Sequence, residues 1–210
     1  MPQRGRPRGF DADEALERAL EVFWRQGYEG ASMSDLTAAM GINKPSLYAA
    51  FGSKEELFRK AVARYAEQDM GYARRAFAQP TAYEVVATLL RENVLAVTRS
   101  DRPAGCLSIQ GGTACSSDNA AVAGFLASSR LAGEHALADR FTRAVAEGDL
   151  PANADPAALA RFVMSVTEGQ AIHAAAGVAR EALRQTAEIA LAGFAAVSGA
   201  RSPEQVAESV

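Results

Sequence analysis

Residues 32–51 read SMSDLTAAMGINKPSLYAAF, and the fold turns on them. Ser32 can cap a helix with Asp35 in its first turn, and Leu36, Ala39 and Met40 fall on one inward face. Gly41 stops that helix after about two turns. Asn43 caps a second helix, with Lys44 and Pro45 in its first turn, where proline loses nothing. Two short helices over Ser32–Met40 and Lys44–Phe51, joined by Gly41-Ile42-Asn43, have helix-turn-helix spacing. The second would turn Lys44, Pro45, Ser46, Tyr48, Ala49 and Ala50 outward and Leu47 and Phe51 inward. In a major groove its first turn would face the bases, and the small Ala49-Ala50 pair would admit thymine methyls. Tyr48 and Lys54 could reach phosphate, as could the first amides of the helix opening at Ser53. The same pattern also fits two core helices joined by a tight turn, and spacing alone leaves both readings open.

Outward from this stretch the pattern stays helical. Asp11 with Glu14 caps a helix carrying Leu16, Ala19, Leu20 and Phe23, and Gly27 is expected to end it. Ser53 with Glu56 opens a long helix towards Phe77. Thr81 with Glu84 caps another to about Arg99, followed by a loop over Ser100–Gly105. A short helix is expected from Cys106 to about Thr113. Ser116–Asp118 should cap a helix ending at Gly148, Asp155-Pro156 should open one ending near Gly177, and the last should run to Gly199. About nine helices and no convincing strand make the fold all-α.

Half of the 210 residues are apolar (49%) and 22% are charged, which excludes the disordered class. No stretch approaches the length of a membrane span, and the Arg-containing N-terminus has no apolar run after it. A cytoplasmic protein without membrane contact is expected. Cys106 and Cys115 lack CxxC spacing, and His135 and His173 lie far apart, so no metal site and no cofactor are expected. The net charge of −3 argues against a protein that merely coats nucleic acid. Its distribution is uneven: residues 1–64 carry 10 Lys/Arg against 9 Asp/Glu, and residues 65–210 carry 12 against 16. A neutral-to-basic head on an acidic body suits a protein whose head alone meets phosphate. Arg4, Arg6 and Arg8 lie in a Gly/Pro-rich arm over residues 1–10. Arg4-Gly5-Arg6-Pro7 matches the AT-hook core, which places arginine in narrow minor grooves; a solubilising tail is the plainer reading.

The joined runs Phe23–Met33 (FWRQGYEGASM), Leu36–Ile42 (LTAAMGI) and Ser46–Phe58 (SLYAAFGSKEELF) resemble the DNA-binding signature of the TetR/AcrR regulators, nearly without a gap over residues 10–65. The resemblance implies a three-helix DNA-binding head over residues 11–53. It places Lys44, Pro45, Ser46, Tyr48, Ala49 and Lys54 at DNA-contact positions, with Ser34 also able to reach DNA. It further implies a ligand-binding and dimerisation body over residues 54–200, followed by a tail over residues 201–210. Pro103–Leu107, Gly148–Pro151 and Asp155–Gly169 are similar to one branch of the family.

Within the body, Leu159, Phe162, Val166, Gly169, Leu183, Ile189 and Phe194 mark two helices able to pair with a twin as a four-helix interface, with internal core as the alternative. A homodimer is expected because an operator reader of this size needs two heads on a palindromic site. Pocket candidates for an unidentified small-molecule effector are Tyr72, Phe77, Tyr83, Asn93, Gln110, Phe125, His135 and Phe141. Cys106 stands at an expected helix N-terminus, where the dipole lowers a thiol pKa, so it is also a candidate electrophile or redox sensor; a buried small apolar residue is the plainer reading. Three functions remain: a ligand-released repressor, an architectural DNA-binding protein without an effector, and an all-helical enzyme. The enzyme class lacks a phosphate loop, metal spacing or a Ser/His/Asp grouping.

Overall fold

The computed structural model describes residues 10–112 and 115–200. Among them the order is α1 (Ala12–Gly30), α2 (Met33–Met40), α3 (Lys44–Phe51), α4 (Lys54–Gln68), α5 (Gly71–Phe77), α6 (Ala82–Val97), α7 (Leu107–Gln110), a 3₁₀ turn (Ser117–Asn119), α8 (Ala120–Ala146), α9 (Pro156–Ala175) and α10 (Arg180–Ser198). The all-α reading holds.

The head forms because its caps and apolar faces agree. Asp11 accepts from the amides of Asp13 (2.8 Å) and Glu14 (3.2 Å), which starts α1. Ser32 and Asp35 close a reciprocal capping box on α2, and Asn43 accepts from the Ser46 amide (2.9 Å) on α3. Gly41 takes φ +68°, a left-handed conformation that lets the chain reverse between α2 and α3. Below the turn, Phe23 meets Phe58 edge-on at 5.0 Å and Trp24 meets Tyr65 at 4.7 Å, so α1 lies along α4. Leu36 and Leu47 are fully buried on that base.

Several boundaries differ from those expected, each for a visible reason. The first regular stretch of α1 is broken at Gly27, as expected (φ +70°), and a short further turn runs on to Gly30 beyond the kink. The kink lets the Tyr28 amide donate to the Gly111 carbonyl (3.0 Å), docking the end of α1 on the body. The long helix from Ser53 breaks after Gln68, because Asp69 turns inward to Arg99 (3.0 Å) and Arg102 (3.5 Å). Arg102 also pairs with Glu17 of α1. α6 stops at Val97, whose carbonyl accepts from Gly105 (2.8 Å) as the loop folds back. α7 is a single turn of four residues. Ser116–Asp118 does not cap α8; the Ser116 amide (2.6 Å) and the Asn119 side chain (2.9 Å) donate to Glu29 instead.

In the body, α8 and α10 both pack on α9, and α6 closes the layer beneath them. Phe141 and Phe194 meet at 5.5 Å, both fully buried, at its centre.

Candidate nucleic-acid interface and body cavity

α3 is anchored by Leu47 and Phe51, which are buried, and shows the opposite side to solvent. Lys44, Pro45 and Ala49 are exposed, Ser46 is half-buried, and the large ring of Tyr48 is 52% exposed. Tyr48 presents both a ring and a hydroxyl to whatever meets this face. Ser34 lies exposed in the first turn of α2.

Lys54 stands at the start of α4, half-buried, with its ammonium 4.4 Å from the centre of the Tyr28 ring. Burial lowers its pKa, and the nearby Glu29 carboxylate opposes that shift. Glu29 is itself pulled down to about 2 by the hydrogen bonds from Ser116 and Asn119. The α4 N-terminus offers less to phosphate than the sequence suggests. Ser53 and Glu56 satisfy each other's amides (2.7 and 3.1 Å), and Glu55 and Glu56 put two acids into that turn. Arg4, Arg6 and Arg8 lie outside the described residues.

A cavity of about 170 Å³ opens within the body between α5, α6, α7, α8 and α9. Of the expected pocket residues, Tyr72, Phe77 and Asn93 line it. Phe125 instead lies under the Arg59 guanidinium (4.3 Å), and Phe141 belongs to the core against Phe194. Gln110 packs beside Gly105, Tyr83 sits elsewhere on α6 near Arg91, and His135 is exposed. The residues that sequence reasoning missed include Met164, Thr167, Glu168 and Ala171. Their i, i+3, i+4, i+7 spacing marks one face of α9 and is the signal that could have found them.

At one end of the cavity the Tyr72 hydroxyl donates to Asn93 Oδ1 (2.8 Å). Asn93 Nδ2 in turn donates to the Thr167 carbonyl (3.1 Å) and to Gln170 Oε1 (2.6 Å). Cys106 also touches the cavity, and its Sγ accepts from the Tyr65 hydroxyl at 3.1 Å. The expectation of a lowered thiol pKa at a helix N-terminus does not hold. One helical turn carries little dipole, and burial pushes the Cys106 thiol up although Tyr65 and nearby amides pull the other way.

The expected interface residues divide. Ile189 is 75% exposed, Phe162 is exposed, and Val166 and Gly169 are half-buried on the outer face of α9. Leu159, Leu183 and Phe194 are buried within the chain itself, so their place is internal core. Ile172 (55%) and Val197 (76%) add to the exposed apolar residues of α9 and α10.

The family model described as bacterial regulatory proteins, tetR family, matches residues 15–61. The chain is 36% identical over 189 residues to the HTH-type transcriptional repressor ComR of Escherichia coli strain K12, covering 88% of this chain and 89% of that protein. It is 45% identical to CifR, a TetR family regulator solved as a cysteine mutant in complex with 26-base-pair operator DNA. That structure gives a TM-score of 0.85 and covers 89% of this chain and 98% of the other. A putatively assigned regulator from Rhodococcus sp. RHA1 is 43% identical, with a TM-score of 0.59, over 88% of this chain and 98% of the other.

Proposed function

The chain belongs to the TetR family of bacterial regulatory proteins, and from that premise we propose that it is a transcriptional repressor, bound to a palindromic operator as a homodimer and released by a small-molecule effector. The observation that carries this reading is α3: a helix buried on one side by Leu47 and Phe51, with Lys44, Pro45, Tyr48 and Ala49 presented on the other. Such a helix can enter a major groove first turn foremost. ComR is itself named a repressor, and CifR was captured on operator DNA, which favours the same role here.

In this reading residues 11–53 form the head and residues 54–200 the body. Lys44, Pro45, Ser46 and Ala49 face the bases and adjoining backbone, while Ser34, Tyr48 and Lys54 hold phosphate. Arg4, Arg6 and Arg8 extend the contact into the neighbouring minor groove or along its phosphates, and residues 201–210 form a tail. The protein acts on DNA in the cytoplasm and turns over no substrate.

The test is selection of duplexes from a random pool with the full-length protein, followed by titration of the enriched site. A palindrome should emerge, with affinity falling steeply as salt rises. Tyr48→Ala and Lys54→Ala should each weaken binding several-fold across all sequences, because phosphate contacts carry no base preference. Wild-type affinity in both variants would remove the phosphate assignment, and failure to enrich any palindrome would remove the repressor reading.

A further inference from the structure

We infer that the body cavity is built for a small molecule, mostly apolar and carrying one hydroxyl or N–H donor, of about six to ten non-hydrogen atoms. This inference names the class of effector and rests on the repressor reading above.

Size comes first. The cavity measures about 170 Å³. A dry protein cavity of about 150 Å³ accepts benzene, so a single ring with a substituent fits inside it. Met70, Phe77, Leu89, Ile109, Met164 and Ala171 supply apolar wall. Most of the ligand must therefore be apolar.

The polar end then sets direction. Asn93 has two amide hydrogens, and both are committed, to Thr167 and to Gln170. Tyr72 has one hydroxyl hydrogen, committed to Asn93. The capacity left on this pair is lone pairs only: those of the Tyr72 oxygen and the second one on Asn93 Oδ1. A ligand that pairs with Tyr72 and Asn93 must donate a hydrogen bond. A ketone or an ether would face acceptors with an acceptor, which leaves both sides desolvated and unpaired.

The experiment uses the full-length protein with labelled methionine methyl groups and two probes of one size, phenol and anisole. Met70 and Met164 line the cavity, whereas Met33 and Met40 lie in the head, so the methyl signals locate binding. Phenol should shift Met70 and Met164 and bind at least tenfold more tightly than anisole. Gly133→Leu should abolish the phenol shifts while leaving duplex binding unchanged. Gly133 lines the cavity within α8, and an added Cβ meets only the Met164 methyl at 3.5 Å, an ordinary contact. Ala73→Leu, from the α5 wall, is the second filling variant.

Equal binding of anisole and phenol, or unchanged phenol binding in both filled variants, would each overturn the inference. If the protein binds its selected duplex but no phenol, the cavity inference falls and the repressor reading stands. If phenol discriminates as expected but no duplex is selected, the repressor reading falls and the ligand class stands.

Discussion

Cys106 sits at the N-terminus of α7, yet its surroundings are those of a core residue: a Tyr65 hydroxyl at 3.1 Å and little access to water. Because burial raises its pKa, the thiol stays protonated at neutral pH, and the reactive thiolate is scarce. Cys115 is also shifted upward by burial, but it is only partly covered. In timed labelling with iodoacetamide, read by mass spectrometry, Cys115 should react first. Cys106 should lag by at least tenfold and accelerate only when denaturant opens the fold. Equal rates would show that the Cys106 thiol is more accessible than its packing implies. The sequence left Cys106 between a sensor and a buried apolar residue, because it shows where a residue stands along a helix and not how long that helix is or what covers it.

At the scale of the elements, the caps decide which segments are helical, and they can be tested singly. Asn43 holds the first turn of α3 through the Ser46 amide. Asn43→Ala should lower stability by about 1 kcal/mol, seen as a reduced midpoint in urea, and should weaken operator binding because the same turn faces the groove. Unchanged stability would mean that packing of Leu47 and Phe51 alone sustains α3. The caps were also the most legible feature of the chain. Asp11, Ser32, Asn43, Ser53, Thr81 and Asp155 were each read from sequence, and each accepts from a backbone amide of its own helix. Helix ends were less legible. The break at Asp69 is driven by Arg99 and Arg102, residues some thirty positions on, and local spacing carries no trace of such partners. The cavity was half legible for the same reason. Tyr72, Phe77 and Asn93 were found, but the side of α9 that closes it could be recognised only once its neighbours were known.

For the whole molecule, the question is which apolar surface belongs to the chain and which to a partner. Ile189 and Val197 lie two turns apart on α10, both more than 70% exposed, while Phe194 on the same helix is fully buried. Ile189→Asp with Val197→Asp should yield folded monomer in sedimentation, with far-ultraviolet circular dichroism unchanged and operator affinity sharply reduced. Phe194→Ala should instead cost about 3–5 kcal/mol in the fold, by opening space against Phe141. An unchanged dimer in the Asp double variant would move the interface elsewhere. The contrast separates two residues that the sequence had grouped together: helical periodicity marks both as apolar, and only the packed structure shows that they point in opposite directions.

The junction at the kink of α1 has a further consequence. There, Tyr28 offers an amide and Gly111 a carbonyl, and neither atom belongs to a side chain. Mutation rewrites side chains and leaves the peptide unit intact, so this joint is open to inheritance in a way that a salt bridge is not. A descendant could exchange much of what surrounds the cavity, acquire a taste for a different chemical, and still seat the same DNA reader at the same angle. The pressure to answer new signals and the pressure to keep an old address on the chromosome thus fall on different atoms.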